Sequence, residues 1–166
     1  MELDDKVAFV MVKLGHLAFQ KDPDAYLRGL VDLCIHAVEA ERVTIYVLDG
    51  SKNELWSRHA HRFPAEIRLP LGQGIAGLVA QTGETINVPD VYGDPRFDRD
   101  VDERSGFLTL NTLAVPVWST DGRRVIGVIQ VLNKRDGSFE RHDQMLLERI
   151  VENVAPALEH MPATVP

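Results

Sequence analysis

Only a few groups of residues in this chain have the types and spacing that chemistry requires. Gly72-Gln73-Gly74-Ile75-Ala76-Gly77 fits the G-x-G-x-x-G pattern of dinucleotide-binding loops. The segment before it, Glu66-Ile67-Arg68-Leu69-Pro70-Leu71, is not the buried parallel strand that such a loop must follow, so a Rossmann reading is rejected. The local physics survives: a glycine-rich entry to a helix leaves the N–H groups of Gly74, Ile75 and Ala76 without intrahelical acceptors, aimed where an anion or a carbonyl can sit. A tight turn needed only for packing accounts for the same glycines. A second candidate is Gln130, an amide inside the apolar run Val125 to Leu132, which must find a partner in the protein or in a ligand. A third is the block from Asn133-Lys134 through Phe139 to Asp143. There Lys134 ends a strand and Asp143 begins a helix, so a Lys134–Asp143 pair would clip the turn between them, with Phe139 as its buried anchor and the carboxylate favoured near the helix N-terminus.

Other chemistries find little support. His59 and His61 alternate on one strand face, but no third residue nearby has metal-ligand spacing, so a surface pair is expected and no metal site. The lone cysteine, Cys34, lies in an apolar helical pattern, which reads as a buried thiol in a reducing compartment rather than a nucleophile. The net charge of −7 with scattered Lys and Arg argues against nucleic acid and anionic membranes as partners. No run approaches the ~18 apolar residues of a membrane span, and the start of the chain is acidic rather than basic, so a cytoplasmic protein is expected. At 166 residues, 45% hydrophobic, one domain with a sizeable core is the default.

The elements that must position these residues follow from periodicity. Val7, Val10, Met11, Leu14 and Leu17 recur at helical spacing, as do Leu27, Leu30, Val31, Cys34 and Val38, and Asp22-Pro23 should cap the second helix. Residues 42 to 49 and 54 to 60 read as a hairpin turning at Asp49-Gly50. Pro64 and Pro70 permit only a short edge strand between them, and a short helix from about Gly74 to Thr82 ends at Gly83. Residues 89 to 111 form a long, partly helical flap over a site. Thr112 to Ser119 and Arg124 to Asn133 form a second hairpin, with Val125 to Leu132 covered on both faces. A helix from about Arg141 to Met161 carries Leu147, Ile150, Val151, Val154 and Leu158 on one stripe, with Pro156 placed to kink it. This order indicates an α+β fold.

Asn133-Lys134, Phe139 and Asp143-Gln144 resemble the N-K-x(n)-F-x3-D-E motif of GAF domains from cyclic-nucleotide phosphodiesterases and related bacterial adenylyl cyclases, with Gln144 in place of the final acid. Gly74-Ile75-Ala76-Gly77, Asn87-Val88-Pro89-Asp90-Val91-Tyr92, Asp94-Pro95-Arg96-Phe97, Ser105-Gly106-Phe107, Pro116 and Val125-Ile126-Gly127-Val128 extend the resemblance over about residues 40 to 158. It implies a central antiparallel sheet of about six strands. The N- and C-terminal helices lie on one face, and on the other a ligand pocket sits under a flap, as in GAF and PAS folds.

The resemblance also implies which residues meet a ligand. Carried over position by position, the pocket takes Thr44, His61, Gly74, Ile75, Ala76, Asp98, Ser105, Thr109 and Gln130, while Asn133, Lys134, Phe139 and Asp143 support the closed fold. A cyclic nucleotide is one ligand it allows. Many members that bind one hold the purine with an aromatic followed by an acid, where this chain has Ala60-His61, and the flap position often aromatic is Asp98. Binding of a cyclic nucleotide is therefore expected to be weak. Haem, through His61 or His36, and bilin, which needs a pocket cysteine, are disfavoured. The expected organisation is N-terminal helices over residues 1 to 40, the domain core over 41 to 161 and a tail over 162 to 166. The expected function is a non-catalytic sensory module that binds a small ligand and signals through the terminal helices of a homodimer to an attached or partner output domain. The alternative is a dimerisation module with a vestigial pocket.

Overall fold

The computed structural model describes residues 2–60 and 67–161. His61 and the tail at 162–166 lie outside the described residues, as do the side chains of His59, Ala60, Val101 and Ser105. Two helices, α1 (Leu3–Leu17) and α2 (Pro23–Val38), precede β1 (Ala40–Asp49), β2 (Glu54–Ala60) and β3 (Arg68–Pro70). After α3 (Gly74–Thr82) and β4 (Ile86–Val88) the chain makes a 3₁₀ turn at Val91–Gly93 and a short helix, α4 (Asp100–Ser105). It ends with β5 (Thr112–Trp118), β6 (Val125–Lys134) and α5 (Arg141–Glu159).

Local chemistry sets most of these ends. Asp22 Oδ2 accepts from Ala25 N at 3.1 Å and Pro23 occupies the first turn, so α2 starts there. Gly83, at φ 74, ends α3 in the left-handed conformation. The β1–β2 connection is longer than a two-residue Asp-Gly turn. Asp49 accepts from Ser51 N and Oγ, and Asn53 takes φ 52 before β2 begins. Pro156 lies inside α5, which runs on to Glu159.

The six strands form one antiparallel sheet in the order β3-β2-β1-β6-β5-β4. β4 is too short to show a periodic pattern and is defined by its pairing with β5. Alternation divides the sheet's side chains. Val43, Ile45, Val115, Ile129 and Val131 face a core built with α1, α2 and α5, in which Leu27, Leu30, Leu147 and Ile150 are fully buried. α2 is thus part of the same core as the sheet. Tyr46, Leu55, Ala114 and Val128 face the opposite way, toward a smaller core with Ile75, Val79 and Val91. The fold is the expected α+β arrangement, with helices on one face and α3 and the flap on the other.

Candidate ligand pocket and its flap

The pocket begins at the turn into α3. A Cβ on Gly77 would stand 2.8 Å from the Pro70 carbonyl oxygen, and Gly74 has φ 69 with its Cβ position 3.3 Å from Asp98 Cβ. Glycine at these two positions lets the helix start lie against β3 and the flap. Gln73 provides no side-chain cap and the first turn holds no acid, so the opening N–H groups of α3 have no acceptor within the helix.

Between this helix start, the sheet and the flap lies a cavity of 60 Å³. Thr44, Gly74, Ile75, Ala76, Asp98, Thr109 and Gln130 all line it. Thr44 and Gln130 are paired across β1 and β6, which sets their side chains together on the pocket face. The walls also include Tyr46, Leu69, Phe97, Asp102 and Leu132, which sequence reasoning missed. Tyr46 and Leu132 each sit two residues beyond an identified position, Thr44 and Gln130, so period-two alternation was a usable signal for both. Asp102 carried no such signal. Ser105 closes α4, within the flap.

Asp102 organises the flap. Although α4 is short and exposed, this carboxylate is 8% exposed, accepting from Thr109 N at 2.8 Å, Thr109 Oγ1 at 2.6 Å and the Tyr92 hydroxyl at 2.7 Å. The bond to Asp102, with burial, raises the Tyr92 phenol above its usual range. Tyr92 in turn meets Phe97 edge-on at 5.4 Å and lies under the Arg99 guanidinium at 4.7 Å. Asp98 accepts from Gln73 Nε2 and from Asp100 N, both at 3.0 Å, and so sits beside the start of α3. Burial, with the nearby charge of Asp98, raises Tyr46.

The far end of the flap is tied to β6 by Asn133, which takes φ 59. Its Oδ1 accepts from Leu110 N at 2.6 Å, and its Nδ2 donates to Leu108 O at 2.9 Å and Glu41 Oε2 at 2.8 Å. Lys134 Nζ donates to Asp143 Oδ1 and to Val38 O, both at 2.9 Å. Asp143 Oδ2 accepts from Glu140 N at 2.8 Å, completing a capping box at the start of α5. Phe139 is 3% exposed, and its carbonyl accepts from Asn87 Nδ2 at 2.9 Å.

Residues 22–158 match the family model of the GAF domain. The chain belongs to the GAF domain family. Among curated relatives of this GAF domain, a dual 3',5'-cyclic-AMP and -GMP phosphodiesterase 11A from Takifugu rubripes is 35% identical over 133 residues, covering 72% of the chain and 14% of the relative. A cGMP-specific 3',5'-cyclic phosphodiesterase from Drosophila virilis is 42% identical over 86 residues, covering 51% of the chain and 10% of the relative. The chain therefore spans a small part of the length of the curated relatives it matches. In structure, the GAF domain resembles that from a phosphoenolpyruvate-protein phosphotransferase of Coxiella burnetii, with a TM-score of 0.85, 15% identity and 96% of each chain covered, a likeness of fold.

A larger groove of 560 Å³ lies away from this pocket, between α1 and α2, with Phe9, Leu17, Gly29 and Leu33 along it. Among the described residues no group of three or more His, Cys, Asp or Glu side chains could hold a metal ion, and no helix is long and apolar enough to cross a membrane.

Proposed function

We propose that this GAF domain is a sensory, regulatory module that binds a small ligand in the cavity between the sheet and the flap and relays occupancy through α1 and α5 of a homodimer to an output domain. The observation that carries this reading is the convergence of Thr44, Ile75, Ala76, Asp98, Thr109 and Gln130, from four separate chain segments, on one cavity closed by a flap with its own polar latch. At about 60 Å³ the cavity is far below the ~300–1,000 Å³ of ordinary small-molecule sites, so a ligand of nucleotide size requires the flap to move. That requirement couples binding to conformation, since a ligand shifts an equilibrium only by its differential affinity for the two states. The reading assigns no catalysis to the chain.

The vestigial-pocket alternative has one observation in its favour, the small volume itself. Native mass spectrometry of the purified protein, followed by thermal shift with cyclic AMP and cyclic GMP, separates the two. A retained small molecule, or a concentration-dependent rise in melting temperature, supports the sensory reading. An empty protein that no ligand stabilises leaves the dimerisation module. Submicromolar affinity for a cyclic nucleotide would overturn the expectation of weak binding drawn from Ala60-His61 and Asp98.

A further inference from the structure

The hydrogen-bonding polarity of the cavity narrows the ligand class. Thr112 Oγ1 donates to Val131 O at 2.8 Å, which leaves that hydroxyl only lone pairs for its neighbour. Gln130 must therefore face it with its NH₂ group, and Nε2 donates to Thr112 Oγ1 at 3.1 Å. The Gln130 carbonyl oxygen has no hydrogen-bond partner among the described residues, on a side chain that is 7% exposed and lines the cavity. Thr109 is in the same position: its hydroxyl hydrogen goes to Asp102 Oδ1 at 2.6 Å, so only lone pairs remain. Asp98 adds a carboxylate that still has acceptor sites beyond Gln73 Nε2 and Asp100 N. The described lining holds two acids and no Lys, Arg or His. Tyr46 and Thr44, 3% and 8% exposed, make no side-chain hydrogen bond among the described residues and can serve as either donor or acceptor. An acceptor-rich, acid-bearing cavity favours a donor-rich cation. Asp98 beside the start of α3 also works against a phosphate there, because it already places negative charge at the positive end of the helix.

We propose that the cavity takes a compact ligand bearing an ammonium group, which donates to Asp98, the Gln130 carbonyl oxygen and the Thr109 hydroxyl oxygen. This rests on the sensory reading above. The ammonium group could belong to a simple amine or to a zwitterionic amino acid. In the second case the ammonium group neutralises Asp98, which frees the open N–H groups of α3 for the ligand's own carboxylate.

Thermal shift of the full chain with methylamine, ethanolamine, glycine and alanine, beside cyclic AMP and cyclic GMP, tests the assignment. A rise of roughly 5–10 °C at a hundredfold excess over Kd is expected with at least one amine probe. Glycine or alanine acting more strongly than methylamine identifies the zwitterion, and the reverse identifies the simple amine. Asp98→Asn should weaken binding on the order of 10- to 100-fold, and Gln130→Met should also weaken it. Asn keeps an acceptor for Asp100 N, so Asp98→Asn should leave the melting temperature without ligand near that of wild type. Stabilisation by a cyclic nucleotide and by no amine overturns the ammonium assignment and leaves the sensory reading standing. An amine response unchanged in both variants overturns the placement in this cavity. No response to any probe, together with an empty protein in native mass spectrometry, overturns the sensory reading and this assignment with it.

Discussion

Lys134 and Asp143 are joined at 2.9 Å across the junction of β6 and α5, with their side chains 7% and 0% exposed. Neither charge has water to fall back on. Glu39 Oε2 also lies 3.4 Å from Lys134 Nζ and His142 Nε2 3.5 Å from Asp143 Oδ1, but both are more exposed. Removing one partner therefore still strips the buried member of its main counter-charge, a loss worth up to about 3–5 kcal/mol, whereas the pair itself adds far less relative to an apolar replacement. Lys134→Met and Asp143→Asn are each expected to lower unfolding stability by about that amount in urea titrations. A change below ~0.5 kcal/mol in both would show that the pair does not hold this junction.

Asp102 gathers three donors from Tyr92 and Thr109 and thereby folds residues 91–110 onto the cavity. In Asp102→Ala these donors lose a charged acceptor, each such bond being worth ~1.5–3 kcal/mol. Amide hydrogen exchange over 91–110 should then speed up by at least tenfold while the amides of β6 keep their protection. Uniform acceleration through the sheet would make Asp102 a global core residue instead of a flap latch.

Burial holds the Cys34 thiol up at about 12 against an ordinary value of 9.0. The sign is that of a group whose folded value is raised: its contribution is fully present below the unfolded value and is lost as pH climbs through the interval to about 12. Tyr26, raised by burial to about 12, and Tyr46, also raised, add to the loss once pH passes ~10. Urea midpoints should be level from pH 7 to 8 and fall above ~8.5. In Cys34→Ala the onset should move toward pH ~10. An unchanged onset in that variant would assign the alkaline loss elsewhere.

On the terminal helices, Val10 of α1 and Val154 of α5 are fully buried in the protomer's own core. What faces outward on α1 is Leu3, Met11 and Val12, with the half-buried Val7 between Leu3 and Met11 and with Met145 of α5 across a shallow groove from Leu3 and Val7. If the homodimer of the proposed function forms on this stripe, Met11→Glu with Met145→Glu should shift sedimentation equilibrium from dimer to monomer without changing far-ultraviolet circular dichroism. Val10→Glu would instead unfold the chain, as expected for a charge without a partner in the core. A double variant that stays dimeric would move the interface to another surface.

The start of α2, both ends of α3, the second hairpin and the fold class were legible from sequence because their causes are local. A cap such as Asp22, a left-handed terminus such as Gly83 and the alternation along β1 and β6 act within a few residues. Ile75, Ala76 and Gln130 could be named as candidates for a related reason, since two open a helix and the third is an amide in an apolar strand, whereas Thr44 was named only through the family resemblance. The structure decided how those positions meet and what polarity they present. The short β4 exists through its pairing with β5, and Asp102 becomes the flap's anchor only when folding brings Tyr92 and Thr109 to it. Gln130 gives its NH₂ group to Thr112, eighteen residues away in sequence, because Thr112 has already given its proton to Val131, and so keeps its oxygen for another partner. Hydrogen-bond direction is set by the partner's remaining capacity, and such partners are chosen by the sheet rather than by neighbours along the chain.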